Sequence, residues 1–213
     1  MTDDRLAEET IDRHVLHAGR YLTFRIDTIR DATGAEHRRE IVDHPGAVAI
    51  VALDGEELLL VRQFRTAAGR ILLEIPAGTL ERRPDGSVEP SDGAARRELG
   101  EETGFEAAAW RRLGSFWTAP GFASERMTLY LATRLRPQAD YRGPEPDERL
   151  DLVRMPWRAA VAQAERGAIE DAKSLVGLFW LARLADRGEL ELRSRLSWPA
   201  TRPGPPGGCG ARG

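Results

Sequence analysis

Two apolar runs joined through an aspartate–glycine turn constrain this chain more than any other feature. Ala47–Leu53 and Leu58–Phe64 flank Asp54-Gly55-Glu56-Glu57. Runs of that length bridged by Asp-Gly form a β-hairpin, because glycine takes the positive φ that a tight turn requires. The chain therefore has to build a sheet, and the segments around the hairpin indicate what covers it.

From Tyr21 the sequence alternates, with Leu22, Phe24 and Ile26 set against Thr23, Arg25 and Asp27. That is the period of a half-buried strand. Thr33-Gly34-Ala35-Glu36 reads as a turn and Arg39–Val42 as a returning strand. Residues 1–20 show no clear period and read as loop or frayed helix. Downstream, Leu72–Ile75 is a short strand ending at Pro76, and Thr79–Pro90, with Pro84, Asp85 and Gly86, is loop. Ser91–Thr103 reads as a helix with Ser91 as N-cap, Asp92 in the first turn and Gly104 at the left-handed position past its end. Trp110–Trp117 and Met127–Leu135 are further strands, and Arg136–Glu148 is a proline-rich loop. Leu152-Val153 follows as a strand, then helices over Pro156–Arg166 and Ala172–Arg187, the last with Leu175, Leu178, Phe179 and Ala182 on one face. Strands, a helix, more strands and then helices predict a mixed α/β sheet with helices on each face.

Composition narrows the function classes. Lys+Arg number 31 against 34 Asp+Glu, a net charge of −3. This gives no surplus positive charge for nucleic-acid binding. The longest apolar run, Ala47–Leu53, falls far short of the about 20 residues that span a bilayer, and the acidic N-terminus has no secretory pattern. The single cysteine, Cys209, permits no internal disulfide. The expectation is a cytoplasmic protein without nucleic-acid or membrane partners. His14, His17, His37 and His44 form no metal-ligand spacing and receive no role.

The chemistry concentrates in Arg97-Glu98-Leu99-Gly100-Glu101-Glu102-Thr103-Gly104. Residues three and four apart lie roughly 60° and 40° apart around a helix, so Glu98, Glu101 and Glu102 share a face. Like charges placed so destabilise a helix by roughly a few tenths of a kcal/mol per pair. A hard divalent cation, which prefers carboxylate oxygens, would offset that repulsion. Upstream, Pro76-Ala77-Gly78 is a strand end passing into a glycine turn, and Glu89 stands eight positions before Arg97.

Read together, Gly78, Glu89 and Arg97 to Phe105 resemble the Nudix box of the Nudix hydrolases. The spacing fits from Glu89 to Phe105, while ten residues separate Gly78 from Glu89 where the family motif has five. The excess, around Arg82–Ser87, can bulge as surface loop at little entropic cost. Glu40–Val48, Val61-Arg62-Gln63-Phe64-Arg65, Leu73–Gly78 and Pro120 beyond the box look like the ADP-ribose pyrophosphatase branch.

The resemblance implies a Nudix-type α/β/α sandwich and Mg²⁺ as cofactor, with Mn²⁺ as the alternative ion. Glu98 and Glu102, with Glu101 nearby and the Ala77 carbonyl, would be its ligands. Gly78 would allow close approach of the backbone, and Arg97 would pair with Glu89 in a structural role. The general base in this branch comes from an acidic loop after the box. The matching residues are Glu148 first and Glu145 second, and Glu101 of the box itself is a third candidate. Arg62 and Arg65 are candidates for phosphate binding, although strand alternation sends them to opposite faces. Pro120 is a further substrate contact, and Tyr21, Phe24 or Trp117 could stack on adenine.

The implied activity is hydrolysis of ADP-ribose, a small-molecule nucleotide, to AMP and ribose 5-phosphate. The alternatives are another nucleoside diphosphate-linked compound or a non-catalytic ligand-binding Nudix domain. Three parts are expected. Residues 1–45 form an N-terminal β arm whose small antiparallel sheet serves homodimerisation. Residues 46–190 form the Nudix domain, and 191–213 a flexible tail.

Overall fold

A computed structural model describes residues 4–141, 143 and 149–190. The hairpin lies at its centre. β4 (Ala47–Asp54) and β5 (Glu57–Arg65) pair antiparallel from Ala52↔Leu59 to Asp54↔Glu57, with Gly55 at φ 61° in the turn. Every residue of β4 is buried. Val48, Ile50 and Ala52 join one apolar cluster, and Ala49, Val51 and Leu53 join another on the opposite side of the sheet. A strand covered on both faces has no polar side, which is why this run is continuously apolar.

The main sheet has the order β10-β5-β4-β9-β8, with β6 (Arg70–Glu74) on β5 and β7 (Ala77–Thr79) on β4. β8 (Phe105–Trp117), β9 (Arg126–Pro137) and β10 (Leu150–Pro156) complete it. β4 runs parallel to β9, from Ala47↔Met127 to Leu53↔Thr133, so the sheet is mixed. One face carries α1 (Ser91–Thr103), anchored by Ala94, Ala95 and Leu99. The other carries α2 (Trp157–Glu165) and α3 (Ala172–Asp186), which bury Trp157, Ala160, Leu178 and Leu181. The result is the α/β/α sandwich expected from the element order.

A separate antiparallel sheet precedes it: β1 (Glu8–Ala18), β2 (Thr23–Asp31) and β3 (Glu36–Asp43). The segment read as loop or frayed helix contains β1, exposed along its length except at Ile11, and bulges near Thr10 and Val15 break its period. With neither face covered, no alternation marks it as a strand. In β2 the buried face is also the reverse of the one read from the sequence. Asp27 and Ile29 are buried while Phe24 is exposed, because Asp27 turns inward to ion-pair with Arg25 and Arg13. The N-cap of α1 is Pro90, and the Ser91 hydroxyl instead bonds the Tyr130 hydroxyl at 2.8 Å. On α3 the buried stripe runs through Ser174, Gly177, Leu178, Leu181 and Leu184, leaving Phe179 exposed. Among the described residues, no helix is long and apolar enough to cross a membrane.

Candidate active site

α1 starts against the sheet and ends at Gly104, whose φ of 72° directs its N–H to the Gly100 carbonyl at 2.8 Å. This left-handed stop, available to glycine at little steric cost, leaves Glu98, Glu101 and Glu102 on the last two turns. Glu98 and Glu102 are buried, at 7% and 5% exposure. Both face the β7 entry: the Ala77 N–H donates to Glu102 Oε2 at 3.0 Å, and the Glu98 carboxylate packs against Gly78. A Cβ at position 78 would stand 1.9 Å from that carboxyl carbon, so any other residue there would displace the Glu98 carboxylate.

The crowding of carboxylates is relieved by Arg97. Its guanidinium lies 2.9 Å from Glu89, 2.9 Å from Glu101 and 2.8 Å from Glu98. Burial works against its charge, but the Glu89 hydrogen bonds and the neighbouring Glu98 and Glu101 carboxylates hold it firmly protonated. Glu89 in turn sits below the ordinary carboxylate range because Arg97 donates to it. With Arg97 among the acids and Glu102 turned to the Ala77 amide, no three acidic, histidine or cysteine side chains close into a metal-holding cluster among the described residues. The donor set still fits a hard cation. Buried carboxylates face a strand end whose glycine is required for close approach, and their oxygens are the atoms such ions prefer.

These residues form one wall of a cleft of about 500 Å³. The same cleft is lined by Gln63 and Arg65 from β5 and by Asp171, Ala172 and Lys173 at the start of α3. Arg65 Nε and Nη2 grip both oxygens of buried Glu74, at 2.8 and 2.7 Å, which raises the arginine's affinity for its proton. Arg20 and Tyr21, on the turn between β1 and β2, reach the same cleft with the guanidinium 4.8 Å from the ring centroid. Thr118 and Glu125 line it as well, joined by a 2.6 Å hydrogen bond.

Of the residues singled out in the sequence, Ala77, Gly78, Arg97, Glu98, Glu101, Glu102, Arg65 and Tyr21 meet here. Alternation along β5 carries Arg62 to the exposed side, and Pro120 is exposed in the turn before β9. Phe24 and Trp117 are exposed outside the cleft lining. Glu145 and Glu148 lie outside the described residues. Sequence reasoning missed Gln63, Arg20, Glu125 and Lys173. Only Gln63 carried a usable signal, as the alternation neighbour of Arg65.

The chain leaving β9 is rooted on the same helix. The Gln138 N–H donates to the Gly104 carbonyl at 2.9 Å. A Cβ on Gly100 would meet the Gln138 amide at 2.4 Å, and one on Gly104 would meet the Tyr141 ring at 2.7 Å.

The model of the NUDIX domain matches residues 43–176. The chain is 36% identical to a methanol dehydrogenase activator of Bacillus methanolicus, covering 82% of this chain and 92% of that protein. It is 37% identical to an ADP-ribose pyrophosphatase of Mycobacterium tuberculosis, covering 80% and 81%. A crystal structure of an ADP compounds hydrolase shares the fold at a TM-score of 0.72 and 23% identity, over 87% of this chain and 98% of that one. Matches of this extent place the chain in the Nudix family.

Proposed function

We propose that this protein hydrolyses the diphosphate linkage of ADP-ribose, releasing AMP and ribose 5-phosphate. The observation that carries the reading is the meeting of an acidic cradle and a guanidinium in one cleft. Buried Glu98 and Glu102 stand against Ala77–Gly78, and the Arg65 guanidinium lines the same cleft. A diphosphate needs cations to hold it and a means of delivering water to phosphorus, and Arg65 and the acidic cradle divide those tasks. The ADP-ribose pyrophosphatase relative supports the choice of nucleotide.

Mg²⁺ would be held by Glu98, Glu102, Glu101 and the Ala77 carbonyl. When bound, such an ion neutralises phosphoryl charge and makes a coordinated water more acidic. Arg65 binds phosphoryl oxygen, and Tyr21, backed by Arg20, supplies a face for the base. Water adds to phosphorus, the bridging P–O bond breaks, and the water's proton passes to a carboxylate. That base is assigned to Glu148 or, failing it, Glu145. Glu101, which lines the cleft, is the candidate within the described residues. Retention of all three box glutamates favours an enzyme over a non-catalytic binding domain.

The N-terminal three-stranded sheet is assigned to homodimerisation. β1 offers an 11-residue strand exposed on both faces, and an open strand edge is a template for pairing. A cytoplasmic location fits the single cysteine.

The test is incubation with ADP-ribose with and without Mg²⁺, quantifying AMP and ribose 5-phosphate, alongside a panel of nucleoside diphosphate-linked compounds. Magnesium-dependent release from ADP-ribose supports the reading. Turnover of another panel member alone reassigns the substrate, and no turnover of any member sinks the enzymatic reading.

A further inference from the structure

Glu74 closes β6 with 1% of its surface exposed, yet it is ionised. Burial opposes that charge, and the Arg65 hydrogen bonds together with the Lys173 ammonium outweigh it. Arg65 reaches it from β5 as a two-pronged fork. Lys173 reaches it from α3 through a hydrogen bond from Nζ to Oε2. Lys173 is itself held 3.0 Å from Asp171, the N-cap of α3. The other Asp171 oxygen accepts from the Ser174 amide at 3.0 Å and from the Ser174 hydroxyl. That hydroxyl accepts from the Ile75 N–H at 2.8 Å. The chain of contacts ties the ends of β5 and β6 to the first turn of α3, two residues before Ala77.

The fork engages Nε and Nη2 of Arg65, and the guanidinium keeps further N–H groups for the cleft it lines. Arg65 is 40% exposed on its side chain, so without a fixed anchor it would sample many rotamers in solvent. Glu74 is that anchor, and Lys173 holds the anchor in place: its ammonium keeps Oε2 oriented and shares the burden of a buried negative charge.

We propose that Glu74 and Lys173 are positioning residues that fix the Arg65 guanidinium for phosphate recognition, with the N-cap of α3 as their base. The inference rests on the reading of the cleft as a diphosphate site. Neither residue touches substrate; each acts through Arg65.

Steady-state kinetics on ADP-ribose with Mg²⁺ test it, using Lys173→Met, Lys173→Arg, Glu74→Asp and Arg65→Ala, and the first and third also in the Arg65→Ala background. Lys173→Met raises KM roughly tenfold, the scale of one displaced charged hydrogen bond, with kcat little changed. Lys173→Arg recovers part of the loss, because it keeps the charge while meeting Oε2 with a planar fork in place of a point ammonium. In the Arg65→Ala background, Lys173→Met adds nothing further, which a merely structural role would not produce. Glu74→Asp draws the anchor back by one methylene and keeps the charge, so it gives the same pattern should Lys173→Met fold poorly. An unchanged KM in the folded variants overturns the proposal, as does a loss that adds fully to that of Arg65→Ala. Either result leaves the hydrolase reading standing if the wild type turns over, whereas a wild type inactive on every diphosphate overturns both.

Discussion

Gly78 and Glu98 occupy overlapping space: a methyl group on the glycine would fall 1.9 Å from the Glu98 carboxyl carbon. The glutamate is buried on a helix pinned by Ala94, Ala95 and Leu99, so it is the carboxylate that has to move. Gly78→Ala is expected to fold, because β7 is a short strand beside the core. It should lose about 100-fold in kcat/KM, the scale of an ångström-sized displacement in a reacting constellation. Near wild-type turnover with an unchanged melting temperature would show that Glu98 is not where the chemistry needs it.

Glu102→Gln separates charge from packing. The amide oxygen can still accept from the Ala77 N–H, and the apolar face of α1 is untouched. Turnover should fall to background while circular dichroism and thermal midpoint stay near wild type. Binding of Mg²⁺, followed by calorimetry, should weaken in parallel. A variant that keeps its activity removes Glu102 from the metal set.

Acid stability should carry the signature of Glu74. Its carboxyl lies below the ordinary value of 4.5 in the folded protein, so its contribution is complete above that value. The contribution is lost as pH falls through the depressed folded value. Wild type is therefore expected to exceed Glu74→Gln in stability at pH 7, with the gap narrowing steadily below pH 4.5. Urea midpoints measured between neutral and acid pH check this. A gap that stays constant down the acid limb would mean the pair with Arg65 and Lys173 contributes nothing.

Tyr21 is the aromatic ring that reaches the cleft from the N-terminal sheet. Tyr21→Ala should raise KM for ADP-ribose on the order of tenfold, as expected for one lost base–aromatic stack, with kcat largely kept. Tyr21→Phe should be close to wild type. Equal KM values for the alanine variant and wild type would place the base elsewhere.

What the sequence revealed was local, and what it hid was long-range. The hairpin from Ala47 to Phe64 and the helix from Ser91 to Thr103 are legible because their patterns are complete within a few residues. The acidic face was legible for the same reason, since helix geometry alone aligns Glu98, Glu101 and Glu102. β1 was not, because a strand with both faces in solvent has no hydrophobic period to read. Asp27 misled for a related reason: a charged residue reads as outward until Arg25 is known to meet it. Lys173 lies 99 positions from Glu74, and nothing in a helix-start lysine announces a buried partner at that distance.

The rooting of the chain after β9 on α1 has a bearing on how such an enzyme can vary. Gln138 and Tyr141 rest on two glycine notches in the turns that bear the acids, so the excursion beginning there takes its origin from the helix itself. Residues can be added or removed farther along, before β10, without shifting that origin. A bulkier side chain at position 100 or 104 would push Gln138 or Tyr141 off the helix. The two small residues thereby set how closely the end of β9 approaches the turns that bear the acids.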